Sequence, residues 1–307
     1  MTSIKKYSPV HEKPHHDAET IDVERIKKEV LEQRIREAQT LASRIVVLPD
    51  GRRIFRRFTR SQRYQHLVLL SSFTLLAFTG LLQSFSDSPF VATIINFLGG
   101  IEGLRTIHRL AAIALIAVSI YHLWQILETW FVKRQRGAMW PQIKDFKDLV
   151  QMIRYNLDKA PEPPKFDRFS IEEKIEYWAL LWGQVLMIVT GIIMWFPLLI
   201  TKILPGSTIP IARALHGWEA LLAVLSILIW HMYHTQIKTR NRSIFTGFMS
   251  EEEMLHEHPL EYERIMAAYE FLERIKEDMQ KPKINPVPVL DDENVDTVVT
   301  SPLIVSR

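Results

Sequence analysis

The sequence contains no cysteine. Thiolate-bound iron–sulfur clusters, cysteine-rich zinc sites and haem attached through a Cys-x-x-Cys-His motif are therefore excluded, and any bound metal must be held by His, Met, Asp or Glu. A strong charge of one sign is also missing, because 38 Lys and Arg residues are balanced by 35 Asp and Glu residues, which leaves a net charge of +3. This balance gives no reason to expect a nucleic-acid partner.

Charged residues are almost absent from four long apolar stretches. The ranges 64–86, 110–127 and 177–201 contain no Asp, Glu, Lys or Arg, and the range 214–237 contains only Glu219. A bilayer core is crossed by about 20 apolar residues of helix, so each stretch predicts a transmembrane helix. The predicted fold class is therefore all-α, an integral membrane four-helix bundle within residues 64–237. Its helices are expected at about 64–86, 105–131, 175–200 and 211–236.

Lys and Arg residues are concentrated in three of the segments outside these helices. Residues 1–64 hold 15 of them, 132–176 hold 10 and 236–307 hold 9, whereas the other two connections hold Arg105 and Lys202. By the positive-inside rule, both termini and the central loop are expected in the cytoplasm. No apolar core of a cleavable signal peptide precedes the first helix, so this helix is expected to direct insertion.

The segments that flank the bundle are predicted to be cytoplasmic extensions. Residues 1–63 are expected to contain an amphipathic helix, residues 238–280 to form a charged helical segment, and the Pro-rich residues 281–307 to be a disordered tail. The dipeptide Asp50-Gly51 is typical of a tight turn. Two roles are open for these flanking helices. Their polar faces would lie in solvent or along the membrane surface, or the helices would dock a cytoplasmic partner.

Histidines occupy paired positions in the apolar stretches. His108 and His122 are 14 residues apart on the second predicted helix, and His216 and His231 are 15 apart on the fourth. Four helical turns take about 14.4 residues and about 21 Å, so each helix carries two imidazoles on one face, one in each leaflet. Intramembrane ionisable residues are usually functional, and imidazole is a common axial ligand of haem iron. The spacing predicts two stacked haems, whereas histidines outside the spans, among them His258, are expected to be solvated.

The two halves of the predicted bundle resemble each other. The segment YQHLVLLSSFTLLAFTG aligns with IEYWALLWGQVLMIVTG at an offset of 111 residues, and both segments end in Thr-Gly. The segment RTIHRLAAIALIAVSIYH aligns with RALHGWEALLAVLSILIWH at an offset of 108 residues at its start. These matches indicate a diverged repeat of a helix pair.

The repeat makes its own prediction about the haem ligands. In it His108 corresponds to His216 and His122 to His231, whereas His66 in the first predicted helix has no histidine counterpart. The second and fourth helices would then supply two complete ligand pairs by themselves.

Small residues and arginines accompany these histidines. The small residues would let a flat porphyrin approach the helices, or would serve ordinary helix packing. They are Ala111, Ala112, Gly183, Gly191, Gly217, Ala220 and Ala223. Arg63, Arg109 and Arg213 can pair with haem propionates, because guanidinium matches carboxylate geometry, or can anchor helix ends at the membrane interface.

Four segments carry a family resemblance: RYQH, RTIHR, EYWALLWGQVLMIVTGIIMWF and RALHGWEALLAVLSILIWHMYH. They resemble the di-haem cytochrome b subunits, or gamma subunits, of respiratory formate dehydrogenases and of related hydrogenase and reductase complexes. The resemblance covers about residues 55–265, including SEEEMLHEHPLEYERI after the last helix. It implies a membrane-anchoring b-type cytochrome of the bacterial inner membrane. This cytochrome would pass electrons across the membrane through stacked haems, between a quinone or quinol pool and an extramembrane redox partner.

The resemblance also implies a ligand set. His66 with His231 would hold the inner haem b and His108 with His216 the outer one, with His122 as a competing or additional ligand and two or three haems in all. Quinone or menaquinone would exchange on the cytoplasmic side. A partner subunit, expected on the outer face, would carry the iron–sulfur or c-haem centres that this chain cannot make, and the enzyme class would belong to that complex.

Two alternatives therefore remain at the level of the sequence. The repeat and the family resemblance differ on whether His122 or His66 accompanies His231. A four-helix membrane protein with intramembrane histidines can also be a haem-free anchor or a proton-conducting scaffold.

Overall fold

The computed structural model describes residues 16–134 and 137–280. Contacts divide these residues into two units, one of residues 45–263 and one of residues 16–44 with 264–280. The tail at 281–307, predicted to be disordered, lies outside the described residues.

Helices dominate both units. In chain order they are α1 (His16–Ala42), α2 (Arg60–Ser84), α3 (Pro89–Phe97), α4 (Gly100–Leu127, extended by a π-helical turn to Val132), α5 (Ile143–Asn156), α6 (Ile171–Trp195), α7 (Pro197–Ile200), α8 (Thr208–Leu225, extended by π-helical turns to Lys238), α9 (Ser243–Thr246), α10 (Glu251–Glu257) and α11 (Pro259–Gln280). The strands are β1 (Ile45–Val47), β2 (Arg53–Arg56) and β3 (Phe248–Ser250).

The helices α2, α4, α6 and α8 are long and apolar enough to cross a membrane. Helix α2 packs on α4, α6 packs on α8, and α2 also contacts α8. Only 6% to 17% of the most apolar window of each helix is buried within the chain, so large apolar side chains such as Trp124, Trp182 and Leu228 point outward. A lipid environment accounts for this exposure, and the predicted all-α membrane bundle is confirmed.

The bundle has two ends, which we call lower and upper. Helices α2 and α6 begin at the lower end, where α4 and α8 finish, and the other four helix ends lie at the upper end. Contacts across the lower end support this arrangement: Lys238 of α8 lies 3.7 Å from Glu172 of α6, and Gln65 of α2 contacts His122 of α4.

The spans begin earlier than the apolar stretches in the sequence. Helix α2 begins at Arg60 because Thr59 caps it: the Thr59 hydroxyl accepts a hydrogen bond from the Gln62 amide, and the Gln62 side chain accepts one from the Thr59 amide. Ser170 and Glu173 form the same capping box at the start of α6. Hydropathy marks the lipid-embedded part of a helix, so polar first turns lie outside it.

At the upper end, the connection between α2 and α4 contains an additional helix. Helix α3 begins with a proline and ends before Gly99 and Gly100, whose positive φ angles of 87° and 76° let the chain turn into α4. A small core of Leu82, Ile95 and Leu104 ties α2, α3 and α4 together.

The lower end carries a three-stranded antiparallel sheet, in the order β1-β2-β3. The turn between β1 and β2 contains Asp50 and Gly51, as the dipeptide predicts. Gly51 adopts a φ of 83°, and the Asp50 carboxylate accepts a hydrogen bond from the Arg52 amide. Strand β3 follows α8, so the sheet joins the segment before α2 to the segment after α8. An all-α prediction does not include this small sheet.

A buried ion cluster forms around Arg57, the residue that directly follows β2. The side chains of Arg57 and Glu261 are 1% and 2% exposed, and their charged groups lie 3.0 Å apart. Arg168 donates to the other Glu261 oxygen at 2.8 Å, and Arg57 also lies 3.3 Å from Glu173. The cluster links the chain before α2, the start of α6 and the start of α11.

We expect Arg57→Met to destabilise the lower end by about 3–5 kcal/mol, because removing one partner of a buried ion pair leaves the Glu261 carboxylate with only one of its two guanidinium partners. The measurement is the midpoint of thermal unfolding of the detergent-purified protein. The double variant Arg57→Met/Glu261→Met should recover part of the loss. A single variant as stable as the unmodified protein would contradict the role of the cluster.

Two neighbouring ionisable groups have unusual environments beside this cluster. Burial, together with the nearby Glu173 carboxylate, raises the pKa of Glu257 to about 7. His258, expected to be solvated, is only 2% exposed, and its Nδ1 donates to the Asp167 carbonyl at 2.8 Å. Burial, and then the charge of Arg57, lowers the pKa of His258. That solvation prediction is wrong because the chain before α6 covers this histidine.

We expect Glu257→Gln to stabilise the protein at pH 8 and to have little effect at pH 5. A carboxyl with a raised folded-state pKa is protonated in the folded protein below about 7 and must be ionised above it, so its unfavourable contribution grows as the pH rises from 4.5 to 7. Partial solvent screening limits the difference at pH 8 to about 1 kcal/mol. Thermal midpoints of both proteins across this pH range provide the check, and a difference independent of pH would contradict it.

Candidate functional site

Four intramembrane histidines face each other in two pairs. The ring centres of His66 on α2 and His231 on α8 lie 6.4 Å apart at the lower end, with an angle of 33° between the ring planes. The ring centres of His108 on α4 and His216 on α8 lie 6.5 Å apart at the upper end, with an angle of 61°. Helix α8 thus contributes one imidazole to each pair.

A threonine orients the imidazole of His108. The Thr79 hydroxyl on α2 donates to the Leu75 carbonyl at 2.6 Å and lies 2.7 Å from His108 Nδ1. Because the only proton of the hydroxyl is engaged with the carbonyl, we assign the proton of the second hydrogen bond to His108 Nδ1. His108 Nε2 then carries a free lone pair, which is the form of imidazole that binds a metal.

The same arrangement recurs around His216. The Thr190 hydroxyl on α6 donates to the Leu186 carbonyl at 2.7 Å and lies 2.9 Å from His216 Nδ1. The glycine that follows each threonine lies beside the same imidazole, since a Cβ added at Gly80 or Gly191 would be in van der Waals contact with the nearest histidine Cε1, at 3.4 Å. The Thr-Gly steps that end the first aligned segment of each repeat half were the available signal for this role.

The lower pair has a carboxylate partner. Glu176, in the second turn of α6, has its Oε2 3.2 Å from His231 Nδ1, so this imidazole is also oriented through Nδ1. His66 has the ring of Phe245 beside it, with ring centres 6.4 Å apart and nearly perpendicular planes.

His122 has a different environment from the four paired histidines. Its Nδ1 lies 3.0 Å from Gln65 Oε1 on α2, and its Nε2 lies 2.9 Å from the Tyr177 hydroxyl on α6. Both ring nitrogens are therefore engaged within the protein, and His231 faces His66.

The three arginines predicted to pair with propionates occupy different settings. The Arg63 guanidinium donates to the Phe245 carbonyl at the lower end. At the upper end, the Arg109 guanidinium lies 5.6 Å from the centre of the Trp195 ring, within the range of a cation–π contact. Arg213 is exposed, and the described residues give it no ion pair.

Of the small residues, Gly183 has a specific packing role. Glu219 is the acidic residue within the fourth apolar stretch, and a Cβ added at Gly183 would lie 2.4 Å from Glu219 Oε1. Glycine at this position of α6 therefore leaves room for a carboxylate inside the bundle.

Fold and site together define a multi-pass membrane protein with imidazole pairs facing each other between its helices. Residues 57–247 match the family described as prokaryotic cytochrome b561, and the chain belongs to this family. It is also similar to a curated protein of Haemophilus influenzae named formate dehydrogenase, cytochrome b556 subunit, with 25% identity over 235 residues that cover 76% of this chain and 90% of that protein. The family resemblance predicted from the sequence is confirmed. The chain is a prokaryotic membrane cytochrome b that functions in electron transfer.

The family implies haem b, and the imidazole pairs fit this group. An imidazole nitrogen binds a metal at about 2 Å and the ring centre lies about 1 Å further, so two axial imidazoles on one iron have ring centres about 6 Å apart. The observed separations are 6.4 and 6.5 Å. Within the described residues no group of three or more His, Cys, Asp or Glu side chains can hold a metal ion. Haem needs only two protein ligands, because the porphyrin supplies the other four donors.

Proposed function

We propose that this chain carries electrons across the membrane by holding two haems b, one above the other, with His66 and His231 as axial ligands at the lower end and His108 and His216 at the upper end. The observation that carries the proposal is the pair of imidazole separations close to the value for two ligands of one iron. Bound haem b supplies reversible one-electron oxidation and reduction of its iron. The two ligand positions are 15 residues apart along α8, so haems held there would lie one above the other near opposite ends of the bundle.

The hydrogen bonds favour His66 over His122 as the partner of His231. A haem ligand needs one ring nitrogen free, and both nitrogens of His122 already have partners in Gln65 and Tyr177. The ring of His66, in contrast, faces His231 directly. This supports the arrangement implied by the family over the one predicted from the repeat alone, and it supports two haems rather than three.

The lower end is proposed to face the cytoplasm. The chain segments that connect to the bundle at this end carry most of the Lys and Arg residues of the sequence, as the positive-inside rule requires. We further propose that Arg63 pairs with propionates of the lower haem and that Arg109 and Arg213 pair with those of the upper haem, because each guanidinium lies at the helix end next to the corresponding imidazoles.

A redox subunit and a quinone complete the proposed electron path. The name of the Haemophilus influenzae relative places that protein in a formate dehydrogenase, and by analogy this chain would anchor a redox catalytic subunit. That subunit would lie on the outer face and carry the iron–sulfur or c-haem centres, and its substrate need not be formate. Quinone or menaquinone would exchange electrons and protons beside the lower haem, at the cytoplasmic side.

We expect His66→Ala to lose one of two haems b per chain, because it removes a ligand of the lower iron, and His122→Ala to retain both. The measurement is the haem-to-protein ratio from the dithionite-reduced spectrum of the purified protein. His234→Ala is the matched control, since the Nδ1 of this lower-end histidine on α8 contacts the Trp230 carbonyl.

Three results would contradict the proposal. Loss of haem from His122→Ala with full content in His66→Ala would favour the arrangement predicted from the repeat. A ratio near three in the unmodified protein would make His122 an additional ligand. The absence of an α-band would point to a haem-free anchor or a proton-conducting scaffold.

We expect Thr79→Val to raise the midpoint potential of the upper haem by a few tens of millivolts. The hydrogen bond from His108 Nδ1 increases the basicity of the ligand and so favours ferric iron, and its loss is a fraction of a kcal/mol of differential stabilisation. Redox titration with optical detection measures the shift. Thr74→Val is the matched control, since the Thr74 hydroxyl bonds to the Leu70 carbonyl of its own helix. Equal potentials in Thr79→Val and the unmodified protein would contradict the assignment of the upper site.

A further inference from the structure

The proposed electron path leaves one intramembrane histidine without a role. His122 lies in the lower half of the bundle. An ionisable side chain inside a membrane is energetically costly, and such residues usually have a function. Its two ring nitrogens contact side chains of two other helices, Gln65 on α2 and Tyr177 on α6. Three spans therefore meet at this imidazole.

The hydrogen bonds define the tautomer of His122. The Gln65 amide nitrogen donates to Gln125 Oε1 at 2.9 Å and to the Ser61 hydroxyl at 3.0 Å, which assigns its two ends. Gln65 Oε1 is then an acceptor, so His122 Nδ1 carries the proton and His122 Nε2 accepts from the Tyr177 hydroxyl at 2.9 Å. An amide does not readily release or take up a proton, so Gln65 is a positioning residue that keeps the basic nitrogen directed at Tyr177.

This acid–base pair lies directly beside the lower haem site. Gln65 precedes His66 in α2, and Tyr177 follows Glu176, the partner of His231, in α6. On both α2 and α6, one residue thus belongs to the lower histidine pair or contacts it, and the adjacent residue contacts His122. On the other side, Gln125 continues the hydrogen bonds to the hydroxyls of Ser61 and Tyr121, close to where α2 begins at the lower end.

We propose that His122 and Tyr177 form the proton-exchange site for a quinol oxidised beside the lower haem. This proposal rests on the proposed function, which supplies the one-electron acceptor. Bound haem would accept electrons one at a time. For each electron that the quinol loses, one of its hydroxyl protons would move to the Tyr177 oxygen while the Tyr177 proton moves to His122 Nε2. The resulting imidazolium releases its proton to water at the cytoplasmic side, and the second electron and proton follow in the same way. Quinone reduction runs through the same groups in reverse.

Within the described residues, the hydrogen bonds and the neighbouring positions on α2, α4 and α6 identify the ionisable groups next to His122. From α6 these are Tyr177 in direct contact and Glu176 next to it, and from α2 the neighbour of Gln65 is His66. On α4 itself, Tyr121 is connected through Gln125. Glu176 is held by His231, so His122 is the basic group that receives the Tyr177 hydrogen bond.

The test uses the purified complex with its haems bound and menadiol as the quinol. Stopped-flow absorbance follows haem reduction between pH 5 and 8, the range in which histidine ordinarily titrates. In the unmodified protein the rate should rise with pH, as neutral His122 becomes available to accept the proton. The variant His122→Gln, whose amide still offers a donor and an acceptor to Gln65 and Tyr177, should reduce its haems at least tenfold more slowly at pH 8 and should lose most of this pH dependence.

A second variant shows whether the two groups act together. Tyr177→Phe should slow haem reduction to a similar extent, and the double variant should be no slower than either single variant, because both remove the same step. His234→Gln is the matched control and should leave the rate and its pH profile unchanged. Haem content and the dithionite-reduced spectrum should be unchanged in all of these variants.

The outcomes separate this proposal from the one on which it rests. Full haem content with an unaltered rate and pH profile in His122→Gln would overturn the role of His122 alone. Loss of one haem from His122→Gln would make it a ligand, which overturns both the ligand assignment and this proposal. Haems in the unmodified complex that dithionite reduces but menadiol does not would overturn the quinone reaction, and this proposal with it.

Discussion

The separation between facing imidazoles sets the position of α8 relative to α2 and α4. At 6.4 and 6.5 Å between ring centres, the histidine rings of each pair face each other across a short gap. The same gap suits one iron with two axial ligands. One helix therefore supplies an imidazole at two heights, and the rest of the bundle holds its partners at the required distance. The Thr-Gly steps of α2 and α6 contribute to this at the upper end, where the threonine hydroxyl fixes the ring and the glycine lies against it.

The hydrogen-bond partners of the ring nitrogens distinguish the histidines of the bundle. A polar group in an apolar interior needs a hydrogen-bond partner, and each intramembrane imidazole with a partner at Nδ1 alone has its other nitrogen available for a metal. His108, His216 and His231 meet this condition through Thr79, Thr190 and Glu176. His122 has partners at both nitrogens, which suits proton exchange better than metal binding. All four residues are histidines, so the difference in hydrogen bonding comes from the side chains that the neighbouring helices place beside them.

The lower end connects the membrane bundle to its flanking segments. Strands β2 and β3 join the chain before α2 to the chain after α8. Arg57 pairs with Glu261 at the start of α11 and with Glu173 at the start of α6. Arg168, just before α6, pairs with the same Glu261. The helix starts that carry His66 and Glu176 are thereby tied to one another. A site that depends on imidazole spacing benefits from such cross-connection, because small rotations of α2 or α6 would change both the lower pair and the partners of His122.

Sequence alone determined the four membrane helices, the heights of the histidines along them and the family, because hydropathy, helical period and motif spacing are properties of continuous segments. It left open whether His66 or His122 faces His231, and it missed the roles of Thr79 and Thr190, the helix α3 and the sheet. These features depend on the rotation of each helix and on contacts between residues distant in the chain. Local patterns do not encode such contacts, since an imidazole at the same depth can meet another imidazole, a hydroxyl or an amide according to which helix lies next to it.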